Sequence, residues 1–299
     1  MELTSSGWLF DPERLFWIAG QINKDRPQSA KIGLELYPVH YFNGLPMGPG
    51  RIDGRRIDIW KKEYGDSPIE RIHLPFHWDL PTAFKNFFWT SLVPLAKPYE
   101  PGTPKDRFIA AGLAAMTTTV QNRFALNLAK KYDAGLNAHV HVVEESAKRG
   151  KVKMLTDDTR YVWVENELDY PRERRDQVMA ERDPVRAIRA VEQHGLEGVI
   201  LGVDHDFLYK FNPVETLDGN YDGLKKHLRS VHISGSEGHH GLVSEEDRDF
   251  WEVVEYVRGH NFDNNVRFCL DLNPFEMRHL TRDEQLDYIS GLVEKLEAA

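Results

Sequence analysis

Residues 197–206 read EGVILGVDHD. The apolar residues Val199, Ile200, Leu201 and Val203 run almost without interruption into Asp204, His205 and Asp206. A short Val/Ile/Leu run that is not strictly alternating predicts a strand covered on both faces, as in a parallel sheet, here over Val199–Asp204. Six runs of the same kind flank it. They are centred on Gly33–Tyr37 (KIGLELYPV), Ile69–Phe76 (IERIHLPFH), Leu136–Val143 (GLNAHVHVVEE), Arg160–Glu165 (RYVWVEN), Leu228–Ile233 (LRSVHIS) and Val266–Asp271 (NVRFCLDLN).

Helical patterns lie between these runs. Asp106–Lys131 reads as a long amphipathic helix. Asp183–His194 opens with Asp-Pro, a helix-start signal, and puts Val185, Ile188 and Val191 on one face. Ser244–Arg258 begins SEED and then presents Phe250, Trp251, Val254 and Val257, while Thr281–Leu296 spaces Leu286, Ile289, Leu292 and Val293 at helical intervals. Strands alternating with helices predict a parallel sheet. With 299 residues, seven clear strands and an eighth near the N-terminus or between Ile233 and Val266, the expectation is a (β/α)8 TIM barrel formed as one domain over 1–299. Two stretches exceed a minimal barrel. Asn43–Arg56 is Gly/Pro-rich and reads as irregular. Residues 77–106 are rich in proline and aromatics and read as a lid or an oligomer contact.

Composition removes several classes. The net charge of -9 comes without any long Lys/Arg run, which argues against a nucleic-acid partner. Cys269 is the single cysteine, so an intrachain disulfide and a CxxC zinc site are excluded. The N-terminal residues lack a signal-peptide pattern, and no apolar run approaches about 20 residues, so a cytoplasmic protein with no membrane partner is expected.

The polar residues have a positional logic. Almost every predicted strand ends in His, Asp or Glu: His73 and His77, His139 and His141, Glu165, Asp204 and His205, His232, Asp271. In a barrel the C-terminal strand ends converge on one mouth, where chemistry is placed. Carboxylates in apolar runs are costly unless paired or bound to a cation. Three carboxylates and a histidine from four strands, Glu165, Asp204, His232 and Asp271, therefore predict a divalent-metal site. Mixed His/carboxylate donors suit Mn2+, Zn2+ or Co2+, with Mg2+ also possible and Ca2+ disfavoured. His139 and His141 alternate within AHVHVV and are expected to face the same side.

The set Val164-Glu165-Asn166, LGVDHD around Asp204, SVHISGSEG around His232 and CLDLNP around Asp271, with ligand spacings of 39, 28 and 39 residues, resembles the xylose-isomerase-like barrel superfamily. That superfamily holds sugar isomerases and epimerases and the endonuclease IV type. The resemblance runs from Ile32 to about Leu296. It implies Glu165, Asp204, His232 and Asp271 as metal ligands. His73, in IHLPF, and His139 or His141 would line the substrate pocket or bind an additional metal. The family usually has Glu where this chain has Asp271. Phe207 stands where its epimerases carry His, and SGSEGHHG replaces the segment in which they carry an Arg.

Two chemistries follow. In the first, the chain is a metal-dependent isomerase or epimerase of a sugar-like polyol, in which a metal acidifies a C–H bond and Glu165 and Asp271 move the proton through an enediolate. Trp78 and Trp89 would cover the sugar ring, and His205, His239 and His240 would stand in for the missing His and Arg. In the second, two or more zinc ions activate water in a phosphoesterase-like hydrolase. A barrel without catalysis, serving as a binding module, is the third class. A homo-oligomer is compatible with the aromatic loop.

Overall fold

The computed structural model describes residues 1–4, 12–37, 39–42, 45–49, 52, 54–74, 123–148, 150–157, 159–166, 184–208, 211–237, 241–272, 277 and 279–299. Ten strands occur among them: β1 (Glu2–Thr4), β2 (Gly33–Leu36), β3 (Val39–Phe42), β4 (Leu45–Pro49), β5 (Ile69–Leu74), β6 (Gly135–His139), β7 (Val162–Glu165), β8 (Gly198–Gly202), β9 (Leu228–Ile233) and β10 (Arg267–Leu270). Eight close a barrel in the order β1-β10-β9-β8-β7-β6-β5-β2. Every pair in it is parallel. This is a (β/α)8 TIM barrel. Its eighth strand is β1, at the N-terminus, which hydrogen-bonds both β2 and β10.

Several sequence expectations are corrected. The stretch taken as irregular contributes β4, which pairs antiparallel with β3, and a helix over Gly54–Tyr64. The third predicted strand stops at His139, because Val140–Lys148 is helical, which puts His141 in the first turn of a helix. The fifth stops at Gly202, and Asp204 and His205 belong to the helix Val203–Leu208. The helix expected from Ser244 starts at Arg248, capped by the Asp247 side chain, which accepts from Phe250 N–H at 3.2 Å. Of the predicted 106–131 helix, the described part is helical over 123–132. The 77–106 stretch, with Trp78 and Trp89, lies outside the described residues.

The flanking helices bury most of the faces their patterns mark, with Val185, Trp251 and Leu286 half-buried. Pro184–His194 buries Ala187, Ile188, Ala190 and Val191, and Arg248–Gly259 buries Phe250, Val253, Val254 and Val257. Arg282–Ala298 opens on a capping box between Thr281 and Glu284 and buries Ile289, Leu292, Val293 and Leu296. Helix Pro12–Asn23 meets Gly54–Tyr64 at Gly20, where a Cβ would lie 2.0 Å from the Tyr64 carbonyl oxygen.

Alternation along the strands separates two sets of residues. Leu34, Leu36, Ile72, Leu74, Leu136, Ala138, Val162, Val164, Val199, Leu201, Val231 and Ile233 join the apolar cluster with the helices. The other set is polar and buried: Glu2, Glu35, Arg71, His73, Asn137, Glu165, Ser230, His232 and Cys269. Contacts such as His232 on β9 to Glu35 on β2, strands that are not neighbours, place these side chains inside the barrel. Barrel interiors are usually filled by branched apolar residues. This one carries alternating charge. Arg267 pairs with Glu2 at 3.1 Å, Arg71 Nη2 lies 2.5 Å from Glu2 Oε2, and Arg71 Nε donates to Glu35 Oε2 at 2.7 Å. The Arg71 guanidinium also lies over the Trp163 ring, 4.5 Å from its centroid. Burying these ions is tolerable because each charge meets an opposite one.

Candidate metal centre

The charge alternation continues upward into the mouth. His232 lies between two carboxylates, with Nε2 3.2 Å from Glu35 Oε2 and Nδ1 3.2 Å from Glu165 Oε1. The other oxygen of Glu165, Oε2, is 3.2 Å from His73 Nε2 and 3.9 Å from His139 Nε2, and it accepts from the Asn137 amide at 2.7 Å. The Asn137 amide also donates to Glu35 Oε1 at 3.1 Å, so one amide spans the two carboxylates. The register places these groups, since His73 pairs with Asn137, His139 with Glu165, and His232 with Gly202 and Cys269.

Electrostatics fixes the charge states. Burial alone would raise the Glu165 carboxyl, but the His232 charge and the hydrogen bond from His232 hold it well below the usual carboxylate range. Glu35 is likewise held ionised against burial by His232 and Arg71. Burial pulls His232 down, yet Glu165 and Glu35 raise it well above an ordinary histidine. Burial dominates at His73 and lowers it, which favours the neutral ring.

The His73 tautomer follows from its neighbours. Nδ1 lies 3.1 Å from the Leu74 carbonyl, an acceptor only, so the neutral ring carries its proton there. Nε2 then directs a lone pair at Glu165 Oε2 and at His139 Nε2, 3.1 Å away. Two lone pairs facing each other repel unless a cation or a proton stands between them. Tetrahedral zinc with Zn–N near 2.05 Å separates its donors by roughly 3.3 Å, close to these spacings. His73, His139 and Glu165 thus fit a divalent cation, with Nδ1 of His73 anchored by a backbone carbonyl as ligating histidines usually are.

Glu35, His232 and Cys269 also approach one another. They are a poor cation site. Arg71 already supplies the positive charge at Glu35, and burial pushes the Cys269 thiol up to about 12, away from the thiolate a metal needs.

Of the predicted ligands, Glu165 and His232 are brought together. Asp271 is buried directly after β10 and belongs to neither cluster. Asp204 follows β8, so the ends of β8, β9 and β10, three adjacent strands, carry Asp204, His232 and Asp271. The side chains of Asp204 and His205, and residues Trp78, His239 and His240, lie outside the described residues. His73 and His139 are at the centre of the site. The His141 ring packs edge-on against His139, 5.7 Å between centroids.

Glu2, Glu35, Arg71 and Asn137 were missed in the sequence, and so was Tyr37, whose ring sits 4.1 Å from that of His73. The signal was there: Glu35 and Arg71 are charges inside apolar runs, and Arg71 shares a strand face with His73.

Among solved structures, the chain is similar to a xylose isomerase domain-containing protein from Salmonella typhimurium LT2. The alignment covers 99% of this chain and 96% of that one, with a TM-score of 0.56 and 15% identity. The fold is that of a xylose-isomerase-like barrel. No family model and no curated protein matches the sequence. The (β/α)8 barrel accounts for the polar strand ends meeting at one mouth. Among the described residues, no helix is long and apolar enough to cross a membrane.

Proposed function

We propose that this chain is a metal-dependent isomerase or epimerase of a small sugar-like polyol. The carrying observation is the group His73, His139 and Glu165, three donor atoms converging from three strands at the barrel mouth. A bound Mn2+, Zn2+, Co2+ or Mg2+ would polarise a substrate carbonyl and hydroxyl and acidify the adjacent C–H. The barrel fold shared with a xylose isomerase domain-containing protein is in keeping with this reading.

The chain's own residues divide the work. His73 and His139 present their Nε2 atoms, and Glu165 contributes a carboxylate that His232 keeps ionised. Asp271, buried at the next-but-one strand end from Asp204 and outside both donor groups, takes and returns the carbon-bound proton. Tyr37, its ring tilted against that of His73, forms part of the wall around the substrate.

A second reading has its own observation. The two oxygens of Glu165 face different imidazoles, Oε2 toward His73 and His139, Oε1 toward His232. A carboxylate shared in this way suits two metals and hydrolysis of a phosphoester-like substrate.

Metal content and isotope exchange separate the two. An isomerase holds one divalent metal per chain and washes a carbon-bound proton of a ketose into heavy water. Two zinc ions per chain, with no exchange across a broad ketose panel, would replace isomerisation by hydrolysis.

A further inference from the structure

Glu35 touches none of the donors His73 and His139, and it lies one layer below them, yet it is fully buried and fully engaged. Arg71 Nε donates to its Oε2 at 2.7 Å, Asn137 donates to its Oε1 at 3.1 Å, and His232 Nε2 lies 3.2 Å from Oε2. Arg71 is itself held from below by Glu2 and faced by Trp163. Glu35 therefore cannot turn away, and its fixed oxygen dictates that His232 directs Nε2–H downward. Nδ1 is left facing Glu165 Oε1 at 3.2 Å. The carboxylate of Glu165 is gripped at both ends: His232 holds Oε1, and Asn137 holds Oε2 while also bridging back to Glu35.

We propose that Glu35 is a positioning residue, which through His232 and Asn137 aims the Glu165 carboxylate at His73 and His139 and thereby sets the metal affinity of the mouth. This rests on the metal-dependent reading above. Partners of this kind, one shell removed from the ligands, typically change metal affinity by about 10- to 100-fold when removed. Gln in place of Glu35 keeps the size of the side chain, but it can offer His232 an N–H where an acceptor is needed.

The test is direct metal titration of purified, metal-stripped full-length protein with Zn2+ and Mn2+. Wild type, Glu165→Gln, Glu35→Gln and a neutralised column, Glu2→Gln/Arg71→Met/Glu35→Gln, are compared. The triple variant leaves no unpaired charge at Arg71 and keeps the question answerable if Glu35→Gln alone does not fold. Glu165→Gln is expected to lose binding; if it binds as wild type does, the metal reading itself is wrong. With Glu165→Gln defective, a 10- to 100-fold weaker affinity in Glu35→Gln or in the triple variant supports the positioning role. Affinity within twofold of wild type in a folded variant overturns it, since a residue that only fills the barrel would change stability and leave affinity alone.

Discussion

His73 and His139 meet Nε2 to Nε2 at 3.1 Å. Two protonated rings cannot approach so closely, so at most one proton, or one cation, stands between them. Each of His73→Asn and His139→Asn is expected to weaken divalent-metal binding at least about 10-fold, because one of three converging donors is lost. His141→Asn, in the helix beyond the strand, is expected to have a much smaller effect. Acid should weaken binding in wild type as His73, which burial holds below an ordinary histidine, takes up a proton. Calorimetric titration at pH 5.5 and 7.5 measures both.

The stability of the metal-free protein should pass through a maximum in mildly acidic solution. Glu35 and Glu165 titrate below the ordinary carboxylate range in the fold. Their contribution is present above the unfolded value near 4.3 and is lost as pH falls through the folded values. His232 titrates above its ordinary range, so its contribution is complete below about 6.5 and is lost as pH rises through the folded value. Urea unfolding from pH 3.5 to 9 should therefore show a midpoint that falls on both sides of about pH 5–6.5. A midpoint that climbs steadily to pH 9 would contradict the charge states assigned to His232 and its two carboxylates.

Cys269 should be silent in the native state. It is fully buried, and burial raises its thiol to about 12. At pH 8 a disulfide reagent should label it only at the rate of unfolding, and in urea it should react at once. Rapid labelling of the folded protein would place the thiol outside the barrel interior.

Thr281→Ala should cost about 1 kcal/mol of stability by removing half of a capping box whose other half is Glu284. Thr281→Ser should be near neutral. Chemical denaturation of the two variants side by side gives the difference.

The barrel was legible because its strands are apolar runs that end in polar residues, as at Val199–Gly202 and Leu228–Ile233. The same rule found Glu165, His73, His139 and His232. It failed at His141 because AHVHVV alternates equally well as a strand, and the switch to helix after His139 depends on packing that local pattern does not encode. It placed β1 only as one of two options, since three residues carry too little periodicity to read. Glu35, Arg71 and Asn137 were passed over for a physical reason. Their partners lie on other strands, and Arg71 and Glu35, 36 residues apart in sequence, become an ion pair only when the barrel brings β2 beside β5.

Strand β1 has a consequence for how the molecule is made. Residues 2–4 complete the circle by bonding to β10, which begins at Arg267. A ribosome must therefore have delivered every residue from β1 through β10 before the ring can shut. Until then the growing sheet is an open trough, its concave wall lined by Glu2, Glu35 and Arg71 in contact with water. Wetted charges on that wall disfavour sticking to neighbouring chains during synthesis, and they become the dry ladder beneath the mouth only when the last strand seats.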